Sequence, residues 1–67
     1  MKLKVNGENI ESAAGTVQQL LKEKGIKPER VAVEVNLRVL KRTEYEQHRL
    51  QEGDQIEIVY FVGGGEE

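Results

Sequence analysis

The chain has 67 residues, ten Lys+Arg against twelve Asp+Glu and a formal net charge of −2 at pH 7. A domain of this size buries only about 60% of the surface of its unfolded chain, which leaves room for one thin core and argues against an enclosed catalytic cleft. The negative charge disfavours nucleic acid as a partner, because such affinity comes largely from basic residues that neutralise phosphates.

The chain contains no cysteine, so it has neither a disulfide nor a thiolate metal site, and it fits a reducing compartment. Its first residues, Met1–Asn6, are too polar for a signal peptide, and no apolar run approaches the length of a membrane span. We therefore expect a cytoplasmic protein with no membrane partner.

The first dozen residues predict a β-hairpin. Leu3 and Val5 alternate with lysines, as in a half-buried strand, and Asn6-Gly7 supplies residues that tolerate positive φ in a tight turn. Ile10 is expected on the returning strand.

A short helix is predicted next. Thr16 and Gln19 have the spacing of a capping box, and Gly25 is placed to end the helix after about two turns. Ile26 would then pack back on the helix. The apolar face comprises Val17, Leu20 and Leu21.

The second half predicts two strands separated by irregular pieces. The segment 31–35 alternates β-branched residues, and 55–61 is the strongest strand signal in the chain. A short apolar piece (37–40) and a capped turn or loop (43–48) lie between them. Tyr45 and Leu50 are the expected anchors of that loop. The last strand places Ile56, Ile58 and Tyr60 on one face and Glu57, Val59 and Phe61 on the other.

This order of elements predicts an α+β fold of the β-grasp (ubiquitin-like) type, with a mixed sheet packed on one main helix and the first and last strands parallel at its centre. Element order alone also permits other α+β topologies. We expect residues 1–62 to form the domain and residues 63–67 a flexible C-terminal glycine tail.

Several segments of the chain form one recognisable pattern: Asn6-Gly7-Glu8, Thr16–Leu21, Val31–Asn36, Arg42, Tyr45, Leu50, Gly53-Asp54 and Ile56–Gly65. Together they resemble the ThiS family, the ubiquitin-like sulfur carriers of thiamin thiazole biosynthesis in the wider ThiS/MoaD superfamily. Each piece is common by itself, whereas their joint order over nearly the whole chain is specific.

The resemblance implies that the chain is a carrier and not an enzyme, with no catalytic side chain and no bound cofactor. In that family an E1-like adenylyltransferase (ThiF-type) uses ATP to adenylate the C-terminal glycine carboxylate, and a sulfur donor converts it to a thiocarboxylate. Thiazole synthase (ThiG-type) then consumes the sulfur. The C-terminal diglycine corresponds here to Gly64-Gly65, and the modified glycine to Gly65.

Physical reasoning about the tail agrees with that role. Gly63, Gly64 and Gly65 have no Cβ and would fit a narrow channel in a partner active site. At about 3.3 to 3.6 Å per residue, Val62 through Gly65 could reach roughly 13 to 14 Å beyond the sheet. Glu66 and Glu67 depart from the family pattern. Either a tail-trimming protease removes them, they are an artificial addition, or the sulfur chemistry is not used.

Three further expectations concern side chains. Val59, Phe61 and Val62 precede the tail and form a hypothetical docking surface for partner enzymes. His48, the single histidine, has no clustered second ligand and is expected to be solvated, so no metal site is predicted. Tyr45 and Tyr60 are expected to pack in the core or at the sheet edge with hydroxyls reaching water.

Two other function classes stay open. One is a related carrier for molybdopterin, tungsten-cofactor, cysteine or thiolated-tRNA synthesis, which would use the same tail chemistry. The other is a non-catalytic β-grasp binding module for RNA, although aromatic residues are few and the net charge is negative.

Overall fold

The computed structural model describes residues 1–61. The elements, in chain order, are β1 (Lys2–Val5), β2 (Glu8–Glu11), α1 (Val17–Glu23), a 3₁₀ turn (Pro28–Arg30), β3 (Val31–Val35), β4 (Arg38–Val39), a second 3₁₀ turn (Arg42–Glu44) and β5 (Gln55–Tyr60). Among these residues, no helix is long and apolar enough to cross a membrane.

The five strands form one mixed sheet in the order β2-β1-β5-β3-β4. The last strand is central: β5 pairs in parallel with β1 on one side and antiparallel with β3 on the other. The two edges are a hairpin strand (β2) and a two-residue strand (β4). This topology with a single α-helix is the β-grasp fold, which confirms the predicted fold class and the parallel central pair.

Both hairpins turn through residues with positive φ. Asn6 and Gly7 have φ of 50° and 82°, as a type I′ turn requires, and the predicted first hairpin is therefore confirmed. The second turn, from β3 to β4, uses Asn36 and Leu37 with φ of 52° and 72°. Leucine rarely adopts this conformation because its Cβ crowds the backbone, so this turn is strained.

The ends of α1 match the prediction, with one difference. The Thr16 hydroxyl accepts from the Gln19 N–H at 3.2 Å, but the Gln19 Oε1 accepts from the N–H of Gly15, one residue earlier than a capping box requires. At the other end, Gly25 has φ of 73° and the Ile26 N–H donates to the Leu21 carbonyl at 2.8 Å. These are the contacts of a Schellman ending.

The core lies between the sheet and α1. The inner faces of β1, β3 and β5 supply alternate residues, and α1 supplies all three predicted apolar positions. The buried apolar residues are Leu3, Val5, Ala14, Val17, Leu20, Leu21, Val31, Val33, Val35, Leu40, Tyr45, Leu50, Ile56 and Ile58. Tyr45 and Leu50, the predicted loop anchors, are thus both confirmed as core residues.

One expectation about Tyr45 is wrong. Its side chain is 3% exposed, and its hydroxyl donates to the Val31 carbonyl at 3.3 Å instead of reaching water. The hydroxyl is buried with a protein partner, as a buried phenol requires. This contact fixes the loop after β4 against the start of β3, next to the end of β5.

Candidate functional site

The candidate site is the end of β5, which extends past its neighbour β1. The parallel pairing of β1 with β5 ends at Val5 and Ile56, after which the chain turns away at Asn6. The Asn6 side chain continues the pairing by one step: its Oδ1 accepts from the Ile58 N–H at 2.7 Å and its Nδ2 donates to the Ile58 carbonyl at 3.2 Å. Beyond Ile58, β5 is therefore paired, among residues 1–61, with β3 and with no strand on the other side.

The last three described residues of this segment are exposed. Val59, Tyr60 and Phe61 have exposed fractions of 59%, 59% and 52%. Val59 and Phe61 belong to the outer face of the sheet, as predicted, and their exposure is compatible with the docking role proposed for them.

Tyr60 keeps the face that alternation predicts, and its exposure fits the sheet-edge alternative expected for it and not the core alternative. It follows Ile56 and Ile58 on the face that packs on α1, yet those two residues are buried and Tyr60 is not. Strand alternation sets the face on which a side chain lies, whereas burial also needs a neighbouring element at that height. Apolar surface is therefore open on both faces of the strand end.

The β3 side of this segment is closed. Val31 lies opposite Tyr60 and Ala32 opposite Val59, and the Phe61 N–H donates to the Arg30 carbonyl at 3.0 Å. These contacts hold the end of β5, up to Phe61, against the sheet.

The outer face beside the exposed end carries two carboxylates. Glu34 on β3 and Glu57 on β5 are directly opposite each other. This pair lies two residues along each strand from the pair of Ala32 and Val59. Within residues 1–61, neither glutamate takes part in an ion pair. The outer face therefore combines apolar residues near the end of β5 with two like charges farther from it.

The remaining predicted site residues, Val62, Gly63, Gly64 and Gly65, lie outside the described residues, as do Glu66 and Glu67. The predicted boundary between domain and tail at residue 62 lies there as well. Their roles stay predictions.

Among residues 1–61, no group of three or more His, Asp or Glu side chains is placed to hold a metal ion. His48 is half-buried, and its carbonyl accepts from the Val17 N–H. One surface depression lies against the β2 edge, lined by Lys2, Asn9, Ile10 and Glu11, away from the end of β5.

Sequence reasoning missed the role of Asn6. The Asn-Gly pair was interpreted as a turn signal alone, and the side-chain amide that pairs with Ile58 was not anticipated. A usable signal existed, since asparagine at the end of a strand often hydrogen bonds neighbouring main-chain groups. The partner strand, however, is 52 residues away and cannot be identified without the topology.

Comparisons with known proteins agree with this geometry. The model of the ThiS family matches residues 3–65. The sulfur carrier protein ThiS of Bacillus subtilis is 37% identical over 65 residues, covering 94% of this chain and 98% of that protein. A thiazole synthase of Paramagnetospirillum magneticum is 47% identical over 66 residues, covering 97% of this chain but 20% of that protein.

The chain therefore spans about a fifth of the length of that thiazole synthase and nearly the whole length of the ThiS protein. The crystal structure of the thiamine biosynthesis protein ThiS from Geobacter metallireducens superimposes with a TM-score of 0.83 at 34% identity, covering 96% of this chain and 99% of that one. Family, sequence relatives and fold agree, and the chain belongs to the ThiS family.

Proposed function

We propose that this chain is the sulfur carrier of thiamin thiazole synthesis and carries sulfur as a thiocarboxylate on Gly65. The observation that supports this most directly is the family match over residues 3–65, which includes all three tail glycines. The exposed end of β5 supports it as well, because it leads straight into those glycines.

The chemistry that we propose for the tail needs an external enzyme. A free carboxylate is a poor electrophile. The Gly65 carboxylate would attack the α-phosphorus of ATP, with pyrophosphate leaving, and the acyl-adenylate would then lose AMP to an incoming sulfur nucleophile. The partner must hold the carboxylate in line with the phosphate, which is catalysis by positioning.

The carrier itself would supply a carboxylate and a surface. On this proposal it has no catalytic side chain and is not an enzyme, and the ATP and the sulfur donor are bound by its partners. An E1-like adenylyltransferase of the ThiF type is the first partner. The cysteine-free composition fits a reducing compartment, and we propose the cytoplasm as its location.

A thiazole synthase of the ThiG type is the second proposed partner. Support comes from the protein of Paramagnetospirillum magneticum, which is named thiazole synthase and matches 97% of this chain with a fifth of its own length. A carrier-like segment and a thiazole synthase name therefore occur in one polypeptide. For separate chains, the equivalent arrangement is a docked complex of carrier and synthase.

Glu66 and Glu67 must be absent from the reactive form on this proposal. The family match ends at Gly65, so both glutamates lie beyond it. While Glu66 follows it, the Gly65 carbonyl is part of a peptide bond and no Gly65 carboxylate exists. A tail-trimming protease would release the reactive terminus.

The test compares two chains by intact mass. A chain ending at Gly65 and the chain ending at Glu67 are each incubated with an E1-like adenylyltransferase, ATP and a sulfur donor. We expect the Gly65 form to gain the mass difference of one oxygen replaced by one sulfur, and the Glu67 form to stay unchanged. No gain by the Gly65 form would contradict the carrier function.

A second measurement separates the thiamin pathway from related sulfur pathways. The thiocarboxylate form is mixed with a thiazole synthase and its small-molecule substrates, and return of the carrier to its carboxylate mass is followed. We expect return with this synthase and none with a molybdopterin synthase large subunit. The opposite result would assign the carrier to the molybdopterin branch.

A further inference from the structure

We propose that the enzyme that acts on the tail adds an extended main-chain segment to the sheet at Tyr60, pairing with the N–H and the carbonyl of this residue. The inference rests on the proposed carrier function, because it specifies how an enzyme that acts on the tail binds the folded domain. Its occupant is the polypeptide backbone of that enzyme, in β conformation.

The direction of the Tyr60 main-chain groups follows from their neighbours. In an antiparallel pair, successive residues point their N–H and carbonyl groups to opposite sides of the strand. The Phe61 N–H points to β3, since it donates to the Arg30 carbonyl at 3.0 Å. The Ile58 N–H points the other way, to the Asn6 side chain. Tyr60, two residues after Ile58, therefore directs its groups to the β1 side.

Nothing within residues 1–61 fills that side at Tyr60. The pairing of β1 with β5 ends at Val5. The Asn6 side-chain amide hydrogen bonds the N–H and the carbonyl of Ile58 but does not reach Tyr60. The Tyr60 N–H and carbonyl have no hydrogen-bond partner in this part of the chain. Main-chain groups that lose water under a partner must find hydrogen bonds, so an enzyme covering this edge has to supply them.

The side chains around this edge fit the same occupant. Tyr60 is exposed on the α1 side of the sheet, and Val59 and Phe61 on the outer side. A strand laid beside β5 would place alternate side chains next to both sets. Strand addition obtains affinity from main-chain hydrogen bonds and specificity from such side-chain contacts.

Main-chain recognition also suits the residues that follow. Three consecutive glycines offer a partner no side chains to grip. Recognition through the main chain needs no side chain of theirs. The Asn6 amide then marks the position where pairing within the chain ends and pairing with the enzyme begins.

A substitution that removes a single N–H tests the proposal. In Tyr60→Pro the N–H that points to the open side is lost, and proline is tolerated in a strand where its missing N–H faces away from the sheet. Tyr60→Ala is the matched control, because it removes the side chain and keeps the N–H. Both are made in the chain ending at Gly65.

We expect both variants to fold, and adenylation of Tyr60→Pro to have a kcat/KM about tenfold below that of Tyr60→Ala, the size of one lost hydrogen bond. Equal kcat/KM values would overturn strand addition and leave the carrier function standing. Failure of the unsubstituted chain to be adenylated would instead contradict the proposed function. The two failures are therefore distinguishable.

Two further readouts do not depend on turnover. Phe61→Pro removes the N–H that bonds Arg30, and we expect it to lower the free energy of unfolding more than Tyr60→Pro does. If Tyr60→Pro nevertheless fails to fold, an ester in place of the Val59–Tyr60 peptide removes the same N–H.

Amide hydrogen exchange locates the contact directly. The Tyr60 N–H is expected to exchange rapidly in the free chain and to become protected when the adenylyltransferase is added. An unprotected Tyr60 in the complex would overturn the proposal. A second outcome would also overturn it: a Tyr60 N–H that is protected in the free chain because the chain forms a dimer, and a dimer that Tyr60→Pro abolishes. A second copy of the chain would then occupy the edge.

Discussion

The side-chain amide of Asn6 hydrogen bonds both main-chain groups of Ile58, at 2.7 Å to the N–H and 3.2 Å to the carbonyl. The Asn6 side chain thus makes the two hydrogen bonds that the main chain of an additional β1 residue would make. It does so where the hairpin turn leads β1 away from the sheet centre. The hydrogen bonding between the two central strands therefore extends to Ile58, beyond the last paired residues Val5 and Ile56. This contact also holds the end of β5 at Ile58 on the β1 side.

Asn6→Gly is predicted to lower the free energy of unfolding by about 1 kcal/mol, because it removes the amide and leaves the partly buried Ile58 N–H without its partner. Glycine accepts the φ of 50° at this position, so backbone strain does not contribute. Denaturant unfolding measures the change.

Asn6→Asp is the matched control, since it keeps an acceptor for the Ile58 N–H and loses the donor to the Ile58 carbonyl. Its stability should lie between those of the other two chains. An Asn6→Gly chain as stable as the unsubstituted one would show that the amide contributes nothing.

Features of the fold that depend on neighbouring residues could be predicted from the sequence, whereas those that depend on distant residues could not. The turns at Asn6-Gly7 and Gly25 were predictable because positive φ is a requirement that individual residue types meet. The strands and their faces were predictable from alternation. Alternation could not show where each covering element ends. It therefore left Tyr60 open between core and sheet edge, and the side chain is in fact exposed.

Side-chain partners were the least predictable feature. Tyr45 was expected to place its hydroxyl in water, but the fold brings the Val31 carbonyl to it. The pairing of Asn6 with Ile58 depends in the same way on the register between β1 and β5. The tail was predicted from the sequence and its resemblance to a family. The open edge at Tyr60 could be recognised only once the order and pairing of the strands were known.

Leu37→Gly is predicted to raise the free energy of unfolding by about 1 kcal/mol, because Leu37 has φ of 72° and a left-handed conformation is costly for residues with a Cβ. The side chain is 88% exposed, so little packing is lost. The new Asn36-Gly pair is also the preferred sequence of a type I′ turn.

Thermal unfolding of Leu37→Gly and Leu37→Ala checks this. Alanine removes the same exposed surface but keeps a Cβ, so its stability should stay near that of the unsubstituted chain. Equal gains from both substitutions would mean that the side chain, and not the backbone conformation, was the unfavourable feature.

Glu57→Gln is predicted to stabilise the fold by about 0.2 to 1 kcal/mol, because Glu57 lies directly opposite Glu34 and like charges in this position repel. The gain should shrink as salt is added, since exposed charges are screened. Denaturant unfolding at low and high ionic strength gives both values.

Glu34→Gln provides the reciprocal control. Each single substitution removes the same repulsion, so the double variant should gain less than the sum of the two. Additive gains would show that the two carboxylates do not interact, and salt-independent gains would indicate a cause other than charge.

A last prediction concerns acid stability and the Glu23 carboxylate at the end of α1. The Ser12 hydroxyl donates to Glu23 Oε1 at 2.6 Å and the Ala13 N–H to Oε2 at 3.2 Å, which joins the loop after β2 to the helix. These hydrogen bonds, that of Ser12 first, hold the pKa of Glu23 below the ordinary value of 4.5. The charged form is therefore favoured more in the folded than in the unfolded chain.

A lowered carboxyl pKa adds stability that is fully present above the unfolded value and is lost as the pH falls through the folded one. The free energy of unfolding should therefore decline as the pH drops below about 4.5. In Glu23→Gln this part of the decline should disappear, together with some stability at neutral pH.

Glu29→Gln is the matched control, because the Glu29 side chain has no hydrogen bond or ion pair among the described residues. Its unfolding curve against pH should keep the step assigned to Glu23. If Glu23→Gln kept the full decline as well, the contact with Ser12 would contribute nothing to acid stability. The loop after β2 would then be held by its main-chain hydrogen bonds to Met1 and Leu50 and by the burial of Ser12 and Ala14.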